Sequence, residues 1–275
     1  GMPLNDSGNY SLYSNQQLDG ELIGTASVNT GTTDVDSPTA SASGGTINMS
    51  SIGATPDFGG RIKASYGDND FRRIFGLLNT GEVGPFGTRA WLAYSDQSYD
   101  KYKGQGDLGK IQYNFKVFQP IRDNGDFISL AGHWNRNRNN NYADLQLQRN
   151  ADGSAGLANG VTWNSDFDNN YTAPTFRKGV ADVDGNGNRF WSLRQNPSDT
   201  GNLRAQSRFT LRDNLIFTFD PSFQYTLATG GSGQFTLREN DAALRGSKTT
   251  GGVDLNGDTD ILDTVRVHST NVTHT

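Results

Sequence analysis

Two short runs carry oxygen-bearing side chains at alternate positions. Asp182-Val183-Asp184-Gly185-Asn186-Gly187-Asn188 and Asp254-Leu255-Asn256-Gly257-Asp258-Thr259-Asp260 place a carboxylate or amide at every second residue. Calcium loops use that spacing because alternate side chains converge on one cation. Both runs lack the bidentate Glu of the twelfth loop position; Leu193 and Val265 stand there instead. Asp254, Asn256, Asp258 and Asp260 are the candidate calcium ligands, with a polar turn as the alternative. Nothing points to any other cofactor. Trp163, Phe167, Tyr171, Phe176, Phe190 and Trp191 lie in a long polar stretch. Flat rings stack on a ligand or pack a loop against itself; Trp163, Tyr171 and Trp191 are the candidates for ligand contact. Arg204 and Arg208 share one strand face with Gln206, where they can meet an anionic substrate or form a solvated wall. Catalysis finds no comparable support. His133, His268 and His274 are scattered, and no nucleophile elbow, zinc-protease motif or phosphate-binding glycine loop occurs. The chain is read as a non-enzyme.

The elements that would position these groups are strands. In Gly109 to Gln119, Ile111, Tyr113, Phe115 and Val117 alternate with Lys110, Gln112, Asn114 and Lys116. Period 2 with one apolar and one polar face predicts a β-strand; a helix would scatter the same residues around its circumference. The same alternation predicts strands at Arg61 to Tyr66, Phe71 to Asn79, Thr88 to Ser95, Phe127 to Arg136, Leu203 to Leu211 and Leu215 to Leu227. Pro221 falls inside the last of these, which requires an edge or a bulge. Residues 96–107, 137–200 and 228–263 read as loops, and the turns at 80–87, 120–125 and 212–214 are short. Short turns at one end and mostly long loops at the other, with the short turn at 67–70 as the exception, are the asymmetry of outer-membrane barrels. The fold class is therefore all-β, an antiparallel meander of long amphipathic strands forming part of a transmembrane β-barrel. Tyr66, Trp91, Tyr94, Trp134 and Tyr225 are expected at the membrane interface.

Composition sets the outer bounds. The chain has 275 residues, 33% hydrophobic, no cysteine and a net charge of −5. That excludes a disulfide framework and a thiolate metal site, and argues against a nucleic-acid binder. No apolar run is long enough for a transmembrane helix, which leaves a barrel open because half of each barrel strand faces the lumen.

Three segments resemble a known family. Pro3-Leu4-Asn5-Asp6, Tyr13-Ser14-Asn15-Gln16-Gln17-Leu18 and Asp34-Val35-Asp36-Ser37-Pro38-Thr39-Ala40-Ser41-Ala42-Ser43-Gly44-Gly45-Thr46-Ile47-Asn48 are similar to the later half of the plug domain of TonB-dependent outer-membrane receptors. Gly109 to Pro120 with Gly125 to Trp134 is similar to an early barrel hairpin of that family. The resemblance implies that residues 1–55 belong to a plug and 56–275 to the first barrel strands and their extracellular loops. It implies an internal piece of a longer protein, set in the outer-membrane lipid of a Gram-negative cell. It implies energised uptake, with the TonB complex as partner, of a small ligand such as a ferric siderophore, vitamin B12 or a carbohydrate. No TonB-contacting motif is visible. The competing reading is a soluble all-β carbohydrate-binding or adhesin module. The barrel reading expects Phe115→Arg, on the lipid side, to be costly and Asn114→Arg, beside it, to be tolerated.

Overall fold

The computed structural model describes residues 2, 4, 17–31, 44–102, 104–140, 147–149, 155–157, 174–183, 191–228 and 234–268. These residues form strands and short 3-10 turns, and no helix is long and apolar enough to cross a membrane. An N-terminal hairpin pairs β1 (Ile23–Thr30) with β2 (Gly45–Ser51). Then comes one large antiparallel meander: β3 (Phe58–Gly67), β4 (Phe71–Val83), β5 (Thr88–Asp100), β6 (Asp107–Pro120) and β7 (Phe127–Asn139). A small hairpin of β8 (Leu147–Arg149) and β9 (Ala155–Leu157) intervenes before the meander resumes. β10 (Ser198–Arg212) pairs with β7 on one side, and with β11 (Leu215–Phe217) and β12 (Ser222–Ala228) on the other. β13 (Gln234–Arg238) and β14 (Thr264–His268) form a separate hairpin.

β11 and β12 are two pieces of one edge strand. The partner sums along β10 stay in register from Arg204↔Ser222 to Phe209↔Phe217. The ladder lapses around Pro221, where Ser207 Oγ donates to Phe219 O and accepts from Phe219 N. Pro221 keeps its carbonyl in use, accepting from Ala205 N at 2.9 Å. The proline thus sits where edge geometry tolerates it. The large sheet is open, with β3 and the β11/β12 strand as its two edges.

Strands run past the predicted ends, because polar residues continue the ladder once neighbours pair. β5 reaches Asp100, so the loop expected over 96–107 shrinks to 101–106, no longer than the turn at 121–126. β13 and the 3-10 turn Ala242–Arg245 lie in the stretch expected to be loop, and β14 begins just after it. The turn at 68–70 is tight: Asn69 and Asp70 both take positive φ, 56° and 53°, which their short polar side chains tolerate.

The two faces of the sheet have inverted exposure. Ile62, Ile74, Leu92, Tyr113, Leu211 and Phe223 are all at least half exposed on one face. The opposite face buries Ser95, Gln112, Asn114, Ser129, His133, Asn135 and Thr200 to 5% exposure or less. Trp91 belongs to this buried face. It is 2% exposed and donates its Nε1–H to Ile52 O at 3.2 Å, which corrects the expectation that it is an interface aromatic. Asn114→Arg is also not the tolerated change expected from the sequence, because Asn114 is 1% exposed and bonded to His133.

On the exposed face, one rung is aromatic. Register aligns Tyr94, Tyr113, Trp134, Gly201 and Tyr225 across β5, β6, β7, β10 and β12. Tyr94 meets Tyr113 at 5.1 Å between centroids, and Trp134 stacks on Tyr225 at 5.7 Å. Glycines make room for these rings. A Cβ on Gly132 would stand 2.2 Å from Phe115 Cε1, and one on Gly201 2.7 Å from Trp134 Cε3. Gly132→Ala is expected to displace the Phe115 ring and cost about 1–3 kcal/mol. Gly76→Ala, with nothing within 4 Å of the added Cβ, should be near neutral. Urea unfolding in detergent compares the two; equal stabilities would discount the ring-over-glycine contact.

Candidate functional site

The buried polar face is clasped by the segment that precedes β1. Residues 17–22 lie on β4, β5 and β6. Asp19 precedes a 3-10 turn, Gly20–Leu22, that contains Glu21, and Leu22, the next residue, is fully buried with Phe75, Leu77, Trp91 and Ala93. Leu18, Ile52 and Ala54 complete that apolar cluster. Burial of Leu22 therefore fixes where the two carboxylates land.

Both land on cations of the sheet. Glu21 accepts from Arg73 through two bonds, Nη1 at 2.8 Å and Nη2 at 2.9 Å, and Lys63 Nζ adds a third at 3.2 Å. Arg73 Nη2 also lies 3.3 Å from Asp19, and its guanidinium stands over the Phe75 ring at 5.2 Å. Asp19 accepts from Ser95 Oγ and, at 3.4 Å, from Lys110 Nζ. Gln112 braces the backbone, accepting from Asp19 N and donating to Gln17 O. The bidentate pair with Arg73 holds the Glu21 carboxyl down at about 2, against an ordinary 4.5.

Further along the same face, β6, β7 and β10 present amides and cations rather than paired charges. His133 Nδ1 lies 2.6 Å from Asn114 Oδ1. His133 Nε2, both side-chain atoms of Asn135, Asn202 Oδ1 and Arg204 Nε are buried without a hydrogen-bond partner. Arg204 thus lies where the sequence put it, on the polar face. Arg208, two residues on, is engaged structurally: its Nη1 donates to Asn124 O and Asp126 Oδ1, each at 3.2 Å. Asp126, 1% exposed as a side chain, also accepts from Thr210 N and Oγ1, tying the 121–126 turn to β10.

The loop candidates divide. Trp163 and Tyr171 lie outside the described residues. Trp191 opens the 3-10 turn Trp191–Leu193, and its carbonyl accepts from Asn140 Nδ2 at 3.3 Å. The alternating residues of 254–260 spend oxygens on local backbone, Asp254 both of its own and the others one each. Asp254 accepts from Gly257 N and Thr259 N, Asn256 from Asp258 N, Asp258 from Asp260 N, and Asp260 from Leu262 N. Backbone donation from Gly257 is the largest influence lowering the Asp254 pKa. Asp260 also meets two carboxylates that the sequence pattern missed: oxygens of Glu239, Asp260 and Asp263 lie within 4.8 Å of one another. Glu239 stands well before the run, so no spacing rule could have joined it. The first acidic run contributes too. Asp182, bidentate to Arg177 and lowered in pKa by it, donates its N–H to Asp263 Oδ1 at 2.7 Å, and Gly179 N–H reaches Asp260.

No family model matches the chain, and no curated protein or solved structure matches it.

The Glu21 clasp has a definite pH signature. A carboxyl whose folded pKa is depressed contributes stability above its unfolded value and loses it as pH falls through the folded one. Glu21→Gln should cost about 1–3 kcal/mol at pH 7. The gap from wild type should narrow from about pH 4.5 down toward 2. Urea midpoints of both proteins at pH 7 and pH 3 measure it; a gap unchanged at pH 3 would mean the pair with Arg73 is not what Glu21 contributes.

Proposed function

We propose that β3 to β12 are part of the wall of an outer-membrane β-barrel and that residues 1–55 contribute part of a plug against its inner face. The whole protein would then be a TonB-dependent receptor in a Gram-negative outer membrane. It would take up a small ligand, such as a ferric siderophore, a vitamin or a carbohydrate, with energy from the TonB complex. One observation carries the reading: the sheet exposes its apolar face and buries its polar one. In water that arrangement is unfavourable on both faces, since apolar surface stays wet and polar groups lose solvent. In lipid the apolar face is the correct outer surface of a barrel strand.

Two features give the exposed face the layering of a membrane surface. The aromatic rung of Tyr94, Tyr113, Trp134 and Tyr225 borders the apolar rows, as a girdle does. The next rung sets Asp96, Arg136 and Asp199 among Ile74, Ile111 and Leu227, and beyond it Arg138 pairs with Asp199 through two bonds of 3.0 Å. Charge begins where the aromatics end. In this reading the two open edges pair with further strands of the same barrel, which alone removes their unpaired groups from lipid.

Leu130→Arg separates a membrane wall from a soluble sheet. Leu130 is 37% exposed and lies two rungs inside the aromatic row. In lipid the charge should cost about 2–4 kcal/mol near the midplane, whereas an exposed position in water changes by about 0.5 kcal/mol at most. Stability measured in lipid vesicles decides it, and a neutral substitution there would favour a soluble all-β binding module.

The acidic loop enters the same reading as a calcium site at the rim. Among the described residues no basic side chain pairs with Glu239, Asp260 or Asp263, and Asp258 Oδ2 is shielded from solvent with no donor. Calcium at about a hundred times its Kd should stabilise the protein by about 2.7 kcal/mol, and Asp258→Asn should abolish most of that. The melting midpoint with calcium against chelator is the measurement; no calcium dependence removes the ion from the reading.

A further inference from the structure

The polar face contains a patch that the N-terminal clasp does not neutralise. Across β6, β7 and β10, register places Lys116, Ala131 and Arg204 on one rung, and Asn114, His133 and Asn202 on the next. Asn135 follows on a third, between Gln112 and Thr200. Strands stand about 4.8 Å apart, so Lys116 and Arg204 rise roughly 10 Å from each other. The residue between them, Ala131, is small.

The first rung is positive without an answer. Lys116 Nζ donates to Ser51 Oγ at 3.4 Å. Among the described residues no carboxylate forms an ion pair with either cation. Two like charges drawn partly out of water and left uncompensated are costly, and an anion over Ala131 removes the cost.

The other rungs hold unused hydrogen-bonding capacity. Asn135 is fully buried, and neither its Oδ1 nor its Nδ2 has a partner. His133 presents Nε2 and Asn202 presents Oδ1, also buried and unpartnered. With Nδ1 of His133 donating to Asn114 Oδ1, the neutral ring leaves Nε2 as an acceptor. Arg204 Nε and Asn135 Nδ2 are donors; His133 Nε2, Asn135 Oδ1 and Asn202 Oδ1 are acceptors. Hydroxyl groups, which donate and accept at once, satisfy such a mixture. A bare anion satisfies only the donors.

We infer that this patch is a binding site for a small polyhydroxylated anion. Its carboxylate or phosphate lies between Lys116 and Arg204, and its hydroxyls meet His133, Asn135 and Asn202. The inference deepens the uptake reading by giving the ligand a chemical class, and it takes from that reading only its setting on a barrel wall.

Titration calorimetry on the purified full chain in detergent tests it, with gluconate, inorganic phosphate and glucose as probes. Gluconate should bind, phosphate at least tenfold more weakly, and glucose not measurably. Arg204→Gln and Lys116→Gln should each weaken gluconate at least tenfold, with Arg204→Lys recovering part of the loss. Asn135→Leu adds a readout that a purely structural residue would not give. It should raise the melting midpoint of the free protein, by removing an unsatisfied amide, while weakening gluconate at least tenfold. The proposal is overturned if gluconate does not bind, which would leave a patch satisfied by ordered water only. It is equally overturned if binding is indifferent to Arg204 and Lys116, or if phosphate binds as tightly as gluconate. Because binding is read without a bilayer, a neutral Leu130→Arg in vesicles beside intact gluconate binding would refute the membrane reading alone.

Discussion

A sheet that buries its polar face must supply that face with partners, and Arg73 is where this chain does so most completely. Its guanidinium binds Glu21 through two nitrogens, approaches Asp19 and covers the Phe75 ring. The cluster around fully buried Leu22 fixes the position of both acids. Apolar burial and charge pairing are therefore coupled: Leu22 has no reason to bury without the hydrophobic patch of β4 and β5, and the carboxylates could not reach Arg73 without Leu22. The N-terminal segment is held on the sheet by this coupling rather than by backbone pairing. Its own hairpin, β1–β2, forms a separate two-stranded sheet.

How much of this could be read in the chain follows from what each signal measures. Alternation reports parity, and parity placed the two faces of β6 and β10 correctly, because a one-residue slip would reverse a whole strand. It marks strand ends poorly. Asp96 to Asp100 and Arg136 to Asn139 are polar on both faces, yet they remain in the ladder because neighbours offer them partners. Residue type misled at Trp91. An aromatic in a barrel-like strand suggests the interface, but Trp91 shares parity with Ala93 and Ser95, and so lies under Ile52. The same reliance on type made Asn114 look like free lumen surface. The clasp itself was illegible, since Asp19 and Glu21 act on residues 42 to 91 positions away.

The candidate sites show the same division. Arg204 and Arg208 are alike in parity and spacing, yet among the described residues only Arg208 forms an ion pair, because the turn at 121–126 brings Asp126 to it. Local sequence contains nothing that distinguishes them. The run at 254–260 was visible because alternating Asp and Asn are also what successive side-chain-to-backbone turns require. The pattern located the loop and left its chemistry open. Glu239 and Asp263 became part of it only through the β13–β14 hairpin, whose ends bring Glu239 N to Asp263 O at 2.9 Å.

That hairpin also restores an asymmetry that the short 101–106 loop had weakened. The last residues of β7 and the first of β10 pair at one end of the sheet, Asn137 with Ser198, and Ala228 of β12 joins the same rung. The stretch from 140 to 197 and the stretch after 228 therefore both leave from that end. Their acidic runs then meet, Gly179 with Asp260 and Asp182 with Asp263. At the other end the connections are 84–87, 121–126 and 213–214. The aromatic rung lies toward the elaborated end, with the charged rung between it and the long excursions. The excursion over 140–197, ring placement and charge thus share one direction through the sheet, although the tight turn at 68–70 and the short loop at 101–106 leave from that same end. They are independent properties of the sequence: one concerns spacing, one residue size and polarity, one ionisation. Their alignment is what the proposed barrel wall would call for.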